Sequence, residues 1–191
     1  VSILKAQGYT TKALHPYGAS GWNRVQVYDL FDFDETYFID DWVNPKKIRG
    51  YISDESNFQK LIELFEEREE GEKLFLFNIT MQNHGGYKNE NYQTTVTIPG
   101  REGEFPLAEQ YLSLLQDTDE ATRMLIEYFE SVDEPVILVI FGDHQPKLGD
   151  EFYDFAFGEP QEERDLLEQQ KQYEVPVLIW KNYEDDSEDL G

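Results

Sequence analysis

The chain has 191 residues, a length typical of one domain or of a large part of one. Forty acidic residues against sixteen basic ones give a formal net charge of −24, which repels phosphate backbones and anionic lipid headgroups, so we expect no nucleic-acid partner. Hydrophobic residues make up 39% and aromatic residues 15%, too many for a disordered acidic tail, so a packed core is predicted. Because there is no cysteine, disulfides, thiolate nucleophiles and cysteine-bound metals are excluded.

The first part of the chain contains two predicted helices and one strand. The stretch 2–8 has the pattern of the last turns of a helix closed by a glycine, so we expect the chain to be a fragment of a longer protein. A short strand is predicted over 9–14, followed by a loop rich in glycine over 16–22. Apolar residues at three-to-four spacing predict a helix over 54–70. No apolar run approaches the roughly 18 residues that span a bilayer.

The second part of the chain alternates nearly continuous apolar runs with helical patterns. Such runs are typical of strands that are buried on both faces. The alternation predicts a single α/β domain over 1–191, with a mainly parallel sheet covered by helices on both faces. The acidic run 184–189 is predicted to be a solvated tail or loop. The strands are predicted at 74–80, 135–141 and 175–180, the helices at 107–131 and about 160–172, and a polar loop at 81–101.

All three histidines lie in turn-rich segments just beyond a predicted strand. They are His15, His84 and His144. In an open parallel sheet the carboxyl ends of the strands share one edge, and ligands bind there. Each histidine taken alone is better explained as a hydrogen-bonded loop residue than as a ligand-binding one. Three at one edge favour a common pocket.

The pair Asp143–His144 is a candidate metal site. Gly142 can break the strand so that both side chains turn toward one point. A carboxylate beside an imidazole suits Mn²⁺ or Zn²⁺. Two ligands do not hold a metal, since coordination usually asks for about four. The alternative is an aspartate that caps the following turn beside an exposed histidine.

Arg24 is a candidate anion clamp, because its guanidinium matches phosphate or sulfate oxygens bidentately. Trp22 could supply an apolar wall beside it. The alternative for Arg24 is a surface salt bridge, which is common in an acidic chain.

The segment Phe141-Gly142-Asp143-His144-Gln145-Pro146, preceded by an apolar strand, resembles the metal-binding motif of the lipoteichoic acid synthase and phosphoglycerol transferase sulfatases. These are extracytoplasmic members of the alkaline phosphatase superfamily. The resemblance implies an alkaline-phosphatase-like α/β fold that is incomplete in this chain. Other segments agree in the same order, namely His15, Trp22-Asn23-Arg24, Ile79-Thr80-Met81-Gln82-Asn83-His84-Gly85-Gly86-Tyr87 and Val175-Pro176-Val177-Leu178-Ile179-Trp180.

The resemblance also implies the site. One divalent metal, commonly Mn²⁺ with Zn²⁺ or Mg²⁺ as alternatives, would be held by Asp143, His144, an upstream Glu and a nucleophilic Thr. The Glu and the Thr would lie upstream of Val1, so we expect this chain alone to be catalytically silent and to hold the metal weakly or not at all. The substrate-binding residues of the family correspond to His15, Trp22, Arg24 and His84.

By resemblance, the parent protein would be anchored by upstream transmembrane helices at the extracytoplasmic face of a bacterial membrane. It would transfer glycerol phosphate from a lipid through a phosphothreonine, or hydrolyse phosphate or sulfate esters. Two alternatives from other classes stay open. One is a non-catalytic module of the same fold that binds an anionic glycopolymer or a partner protein. The other is an acidic scaffold without a site.

Overall fold

The computed structural model describes residues 1–184, so the predicted acidic tail lies outside the described residues except for Glu184. No helix within the described part combines the length and the apolar character that crossing a bilayer requires. The helices are α1 (Ser2–Ala6), α2 (Arg24–Leu30), α3 (Asp54–Glu66), α4 (Pro106–Glu130), α5 (Asp150–Phe157) and α6 (Leu166–Lys171). The strands are β1 (Tyr9–Leu14), β2 (Glu35–Tyr37), β3 (Lys47–Ile48), β4 (Tyr51–Ile52), β5 (Lys73–Asn78), β6 (Ile137–Phe141) and β7 (Val177–Lys181).

The central feature is a three-stranded parallel sheet in the order β2-β1-β5. Leu14 at the end of β1 is opposite Asn78 at the end of β5. Pairing continues one step further, since the backbone N–H of Ile79 donates to the carbonyl of Leu14 at 3.0 Å. On the other side, the N–H of His15 donates to the carbonyl of Tyr37 at 2.9 Å. The loops that follow β1 and β5 therefore leave the same edge of the sheet, as predicted.

Helices α3 and α4 form the main core layer. Ser53 caps α3 by accepting a hydrogen bond from the N–H of Ser56 at 3.2 Å, which satisfies one of the free amide groups of the first turn. The apolar faces of both helices then pack on the sheet. Leu76 of β5 and Leu138 of β6 contact this same core. The predicted helices over 54–70 and 107–131 are confirmed with small differences at their ends.

Strands β6 and β7 depart from the predicted single sheet. They pair antiparallel to each other as a separate two-stranded sheet. On the inner face Leu138 and Trp180 pack on the α3–α4 core, whereas the outer side chains are exposed, so the expected cover on both faces is not found here among residues 1–184. An apolar run indicates burial but carries no information about strand direction. The exposed outer side chains are Ile137, Val139, Phe141, Val177 and Ile179.

The regions without strong periodicity contain elements that the sequence did not predict. These are α2, β2, the β3–β4 hairpin and α5. The acidic helix predicted at about 160–172 is broken into a 3₁₀ turn, Gln161–Glu163, and α6. Buried Arg164 lies between them and pairs with Asp154 at 2.6 Å. Arg164 itself has an extended backbone, with φ −72° and ψ +137°, which separates the two helical segments.

Candidate functional site

His15 and Arg24 lie together at the end of β1, and both are buried. Burial and, to a smaller extent, the positive charge of Arg24 together lower the pKa of His15 from 6.5 to about 4. His15 is therefore uncharged at neutral pH. Its buried Nδ1 has no hydrogen-bond partner among the described residues. A buried polar atom without a partner is expensive, so it indicates a place where a ligand atom can complete the bonding.

The loop between His15 and α2 packs closely against the Arg24 guanidinium. Nη1 of Arg24 donates to the carbonyl of Gly18. A side chain at Gly21 would meet that guanidinium, since an added Cβ would lie 3.2 Å from Nη1. The interpretation of Arg24 as a surface salt bridge is therefore wrong, because the side chain is buried and bonded to its own loop.

Trp22 lies on the outer side of this loop. Its side chain is 94% exposed and its φ is +55°, a left-handed conformation that residues with a Cβ rarely adopt. An exposed indole in a strained turn can form the apolar wall predicted from the sequence only when a ligand covers it.

The loop after β5 carries His84 at its exposed tip. Nδ1 of His84 is 3.3 Å from the hydroxyl of Tyr51, a residue of β4. Arg49, on the same hairpin, donates from Nη2 to the carbonyls of His84 at 3.1 Å, of Gly85 at 3.3 Å and of Gly86 at 3.1 Å. The β3–β4 hairpin therefore contacts both the backbone and the imidazole of this loop.

A pair of tyrosine rings joins the two histidine loops. Tyr17, two residues after His15, has its ring centroid 6.1 Å from that of Tyr51. Tyr51 in turn lies 5.7 Å from the ring of His84. The structure therefore brings the loops of His15 and His84 together at the carboxyl edge of the parallel sheet.

Asp143 and His144 follow β6 and are both strongly exposed. Oδ2 of Asp143 lies 3.7 Å from Nε2 of His144, and the backbone N–H of His144 donates to Oδ1 at 3.0 Å. Asp143 thus also makes the local capping contact that the alternative interpretation predicted. Burial raises the pKa of Tyr87, in the His84 loop, to about 12, and nearby groups that include Asp143 add to this shift. The contacts of Asp143 and His144 are with each other and with Gln145. Among residues 1–184 they form no three-member cluster with His84 or His15, so the predicted common pocket for all three histidines is not formed by these residues alone.

The donor set of Asp143 and His144 fits a divalent metal in chemistry, with one carboxylate and one imidazole. Within residues 1–184, no group of three or more acidic or histidine side chains is arranged to hold an ion. Residues 1–184 therefore offer, in this pair, two of the roughly four ligands that such a metal would need.

A buried polar network fixes the base of the His84 loop. Asp54, at the start of α3, is fully buried and accepts a hydrogen bond from the hydroxyl of Thr118 of α4 at 2.7 Å. Asn83 donates to the same hydroxyl at 2.8 Å, and Gln82 accepts from the N–H of Asp54 at 2.9 Å. Burial raises the pKa of Asp54 to about 6, although the bond from Thr118 opposes the shift. Two helices are thus tied to the residues next to His84.

Four of these side chains were not predicted from the sequence, namely Tyr17, Arg49, Tyr51 and Asp54. Tyr17 had a usable signal, because it lies two residues from a candidate histidine. Arg49 is followed by Gly50, a pattern that can mark a tight turn but does not reveal what the arginine contacts.

The fold and the site define a class. A parallel sheet with histidine and arginine side chains in the loops at its carboxyl edge, and an Asp-His pair after a strand of a separate two-stranded sheet, is an alkaline-phosphatase-like α/β domain. The sulfatase family model matches residues 1–187, and the chain belongs to this family. Members of the family are generally metal-dependent.

The chain is also similar to individual proteins. It is 28% identical over 199 residues to a putative cyclic beta-1,2-glucan modification protein of Rhizobium meliloti. That match includes 100% of this chain and 30% of the Rhizobium protein. The phosphoglycerol transferase GacH of Streptococcus pyogenes, solved with sn-glycerol-1-phosphate, has a TM-score of 0.69 at 25% identity, over 92% of this chain and 44% of GacH. The lipoteichoic acid synthase LtaP of Listeria monocytogenes shares the fold, with a TM-score of 0.68 at 18% identity. The match covers 93% of this chain and 44% of LtaP. The chain thus spans less than half of each of these proteins.

Proposed function

We propose that residues 1–191 form the C-terminal part of the catalytic domain of a metal-dependent enzyme that transfers or hydrolyses phosphate esters, and that the transfer of glycerol phosphate is its activity. The observation that carries this proposal is the position of buried Arg24 beside uncharged His15, with His84 on the neighbouring loop. In a chain with a net charge of −24, a guanidinium held at a ligand-binding edge marks a site for an anion.

The chemistry of these side chains suits a phosphoryl group. Arg24 presents a planar fork that binds two phosphate oxygens. His15, uncharged, donates a proton or accepts one in a hydrogen bond to an ester oxygen without adding charge. His84 reaches the same edge from the exposed side. Fixed donors of this kind stabilise the charge on the equatorial oxygens during transfer.

The metal would be held by Asp143 and His144, completed by a Glu and a nucleophilic Thr from a part of the protein outside residues 1–191. We favour Mn²⁺, with Zn²⁺ or Mg²⁺ as alternatives. When bound, such a metal activates the hydroxyl nucleophile and offsets charge on the phosphoryl group. Without it, this chain alone would bind ligand but would not turn it over.

We infer the substrate class from the similar structure of GacH, which was solved with sn-glycerol-1-phosphate. A glycerol phosphate ester carried on a lipid donor supplies one anionic group for Arg24 and an apolar part for Trp22. We place the enzyme at the extracytoplasmic face of a bacterial membrane, with its membrane anchor outside residues 1–191.

The test is turnover of a lipid-linked glycerol phosphate by the full-length protein with Mn²⁺. His84→Ala and Asp143→Ala should each reduce turnover by at least about 10²-fold, because each removes a group that contacts the phosphoryl oxygens or the metal. Arg123→Lys, on the exposed surface of α4, is the control and should have no effect. A near-normal rate in either test variant would remove that residue from the mechanism.

A non-catalytic binding module is the second candidate. It is favoured by the finding that the described residues bring together fewer than three metal-binding side chains. This candidate predicts that the full-length protein binds sn-glycerol-1-phosphate with no turnover at any metal concentration. Measured hydrolysis or transfer would exclude it.

A further inference from the structure

The β3–β4 hairpin has an unusual turn residue. Ile48 pairs with Tyr51, so the turn consists of Arg49 and Gly50 alone. Both have positive φ, +55° and +90°, as the two-residue turns of type I′ require. Such turns favour Asn-Gly, Asp-Gly or Gly-Gly. An arginine at the first position is strained, which suggests that its side chain makes contacts that an asparagine could not make.

The side chain of Arg49 is directed at the His84 loop. Its Nη2 donates to three successive carbonyls there, and its Cζ lies 5.2 Å from the ring centroid of Tyr87. Its Nε and Nη1 are buried and have no hydrogen-bond partner among the described residues. The guanidinium is therefore desolvated for contacts that all lie on one loop, which is typical of a clamp rather than of a surface charge.

Tyr51 acts on the imidazole itself. Its hydroxyl is hydrogen-bonded to Nδ1 of His84 at 3.3 Å, and its ring is held between those of His84 and Tyr17. When a hydroxyl donates to Nδ1, the proton of the neutral ring is on Nε2. Nε2–H is then the ring group that can donate to an anionic oxygen.

We propose that Arg49 and Tyr51 are positioning residues for His84. Arg49 holds the loop backbone, and Tyr51 fixes the ring orientation and its tautomer so that Nε2–H points to the bound ester. This rests on the proposed function only in the identity of the ligand, because the hairpin contacts are independent of it.

The decisive variant is Arg49→Asn in the full-length protein. It creates Asn-Gly, which the turn favours, so the hairpin should be kept and the thermal midpoint should be unchanged or higher. The guanidinium contacts are lost, and kcat/KM for a lipid-linked glycerol phosphate should fall by up to about 10²-fold, because a displaced catalytic group is costly. Tyr51→Phe should lower kcat/KM about tenfold, as expected for the loss of one hydrogen bond. Lys47→Gln is the control, since it removes a positive charge from the same hairpin. It should leave kcat/KM unchanged.

The second readout is the imidazole ¹⁵N spectrum of the histidine-labelled protein, with His84 assigned by its loss in His84→Gln. The tautomer ratio of His84 should change in Arg49→Asn and in Tyr51→Phe, while His144 is unaffected. Unchanged His84 signals in both variants would overturn the positioning role, whatever happens to the rate. If the wild type turns over no phosphate ester, the proposed function fails, but the spectra still support or overturn the positioning of His84.

Discussion

The two parts of the candidate site are built in different ways. On the parallel sheet, Arg24 and His15 are buried, and the His84 loop is bonded to a hairpin and to two helices. On the two-stranded sheet, Asp143 and His144 are exposed and contact little beyond each other and the next residue. The proposed substrate side is thus preformed by the chain, whereas the proposed metal side would depend on further groups that complete it. Variants on the two sides should therefore separate stability from activity.

The largest expected effect is on the metal side. Asp143→Ala in the full-length protein should reduce turnover by about 10²–10³-fold, because a metal ligand is lost. The free energy of unfolding should change by less than about 0.5 kcal/mol, since the side chain is exposed. Turnover and urea unfolding measure the two quantities. A large loss of stability would contradict the comparison, and Asp119→Ala on the surface of α4 is the control.

Arg24→Lys should lower both the catalytic efficiency and the free energy of unfolding. The lysine keeps the charge but cannot make the forked contact or the same bond to Gly18, so kcat/KM should fall by about 10- to 100-fold. The free energy of unfolding should fall by about 1–3 kcal/mol, because a buried donor geometry is lost. Equal stability of variant and wild type would show that the substrate side is not preformed.

Asp54→Asn should change the pH dependence of stability. The pKa of Asp54 is raised to about 6, so between pH 4 and pH 6 the folded state keeps a proton that the unfolded state releases. This group therefore adds stability as the pH falls, by up to roughly 3 kcal/mol, and the contribution is absent above pH 6.

His15 acts in the opposite direction over the same range. Its pKa is lowered to about 4, so the unfolded state takes up a proton first and stability falls as the pH drops from 6.5. In Asp54→Asn the stabilising contribution of Asp54 is lost, whereas the destabilising effect of His15 is kept. The variant should lose stability more steeply than wild type between pH 6 and pH 4 in thermal melts. Parallel pH profiles of variant and wild type would rule out a buried, proton-holding Asp54.

The smallest effect is expected at Trp22. Trp22→Gly relieves the left-handed backbone, so stability should be equal or up to about 1 kcal/mol higher. The apolar wall is lost, and KM for the lipid-linked substrate should rise a few-fold, with Trp22→Ala giving the same KM without the gain in stability. An unchanged KM in both variants would remove Trp22 from the substrate side.

The sequence was most informative where periodicity was strong. The long pattern over 107–131 predicted α4 within one residue at each end, and the three-to-four spacing over 54–70 predicted α3. The meeting of His15 and His84 followed from the rule that parallel strands end at one edge. The direction of β6 and β7 could not be predicted, because their apolar runs are equally suited to parallel and antiparallel pairing.

The contacts of Arg49 with the His84 loop could not be predicted from the sequence for a different reason. Arg49 and His84 are 35 residues apart, and the contact depends on the fold of the β3–β4 hairpin between weakly patterned segments. Helix α5 was missed because its aromatic residues Phe152 and Phe155 lie between two glycines, which favour a turn. Neither the local pattern nor the resemblance contains this long-range information.

The outer side of β6–β7 has a practical consequence for work with residues 1–191 in isolation. A row of aliphatic and aromatic side chains, beside strand edges that pair with no further strand within residues 1–184, is a template for self-association. At neutral pH the mutual repulsion of highly acidic molecules opposes such contacts. Near the isoelectric point of about 4.3 this repulsion disappears, and the isolated polypeptide should precipitate there as β-rich aggregates.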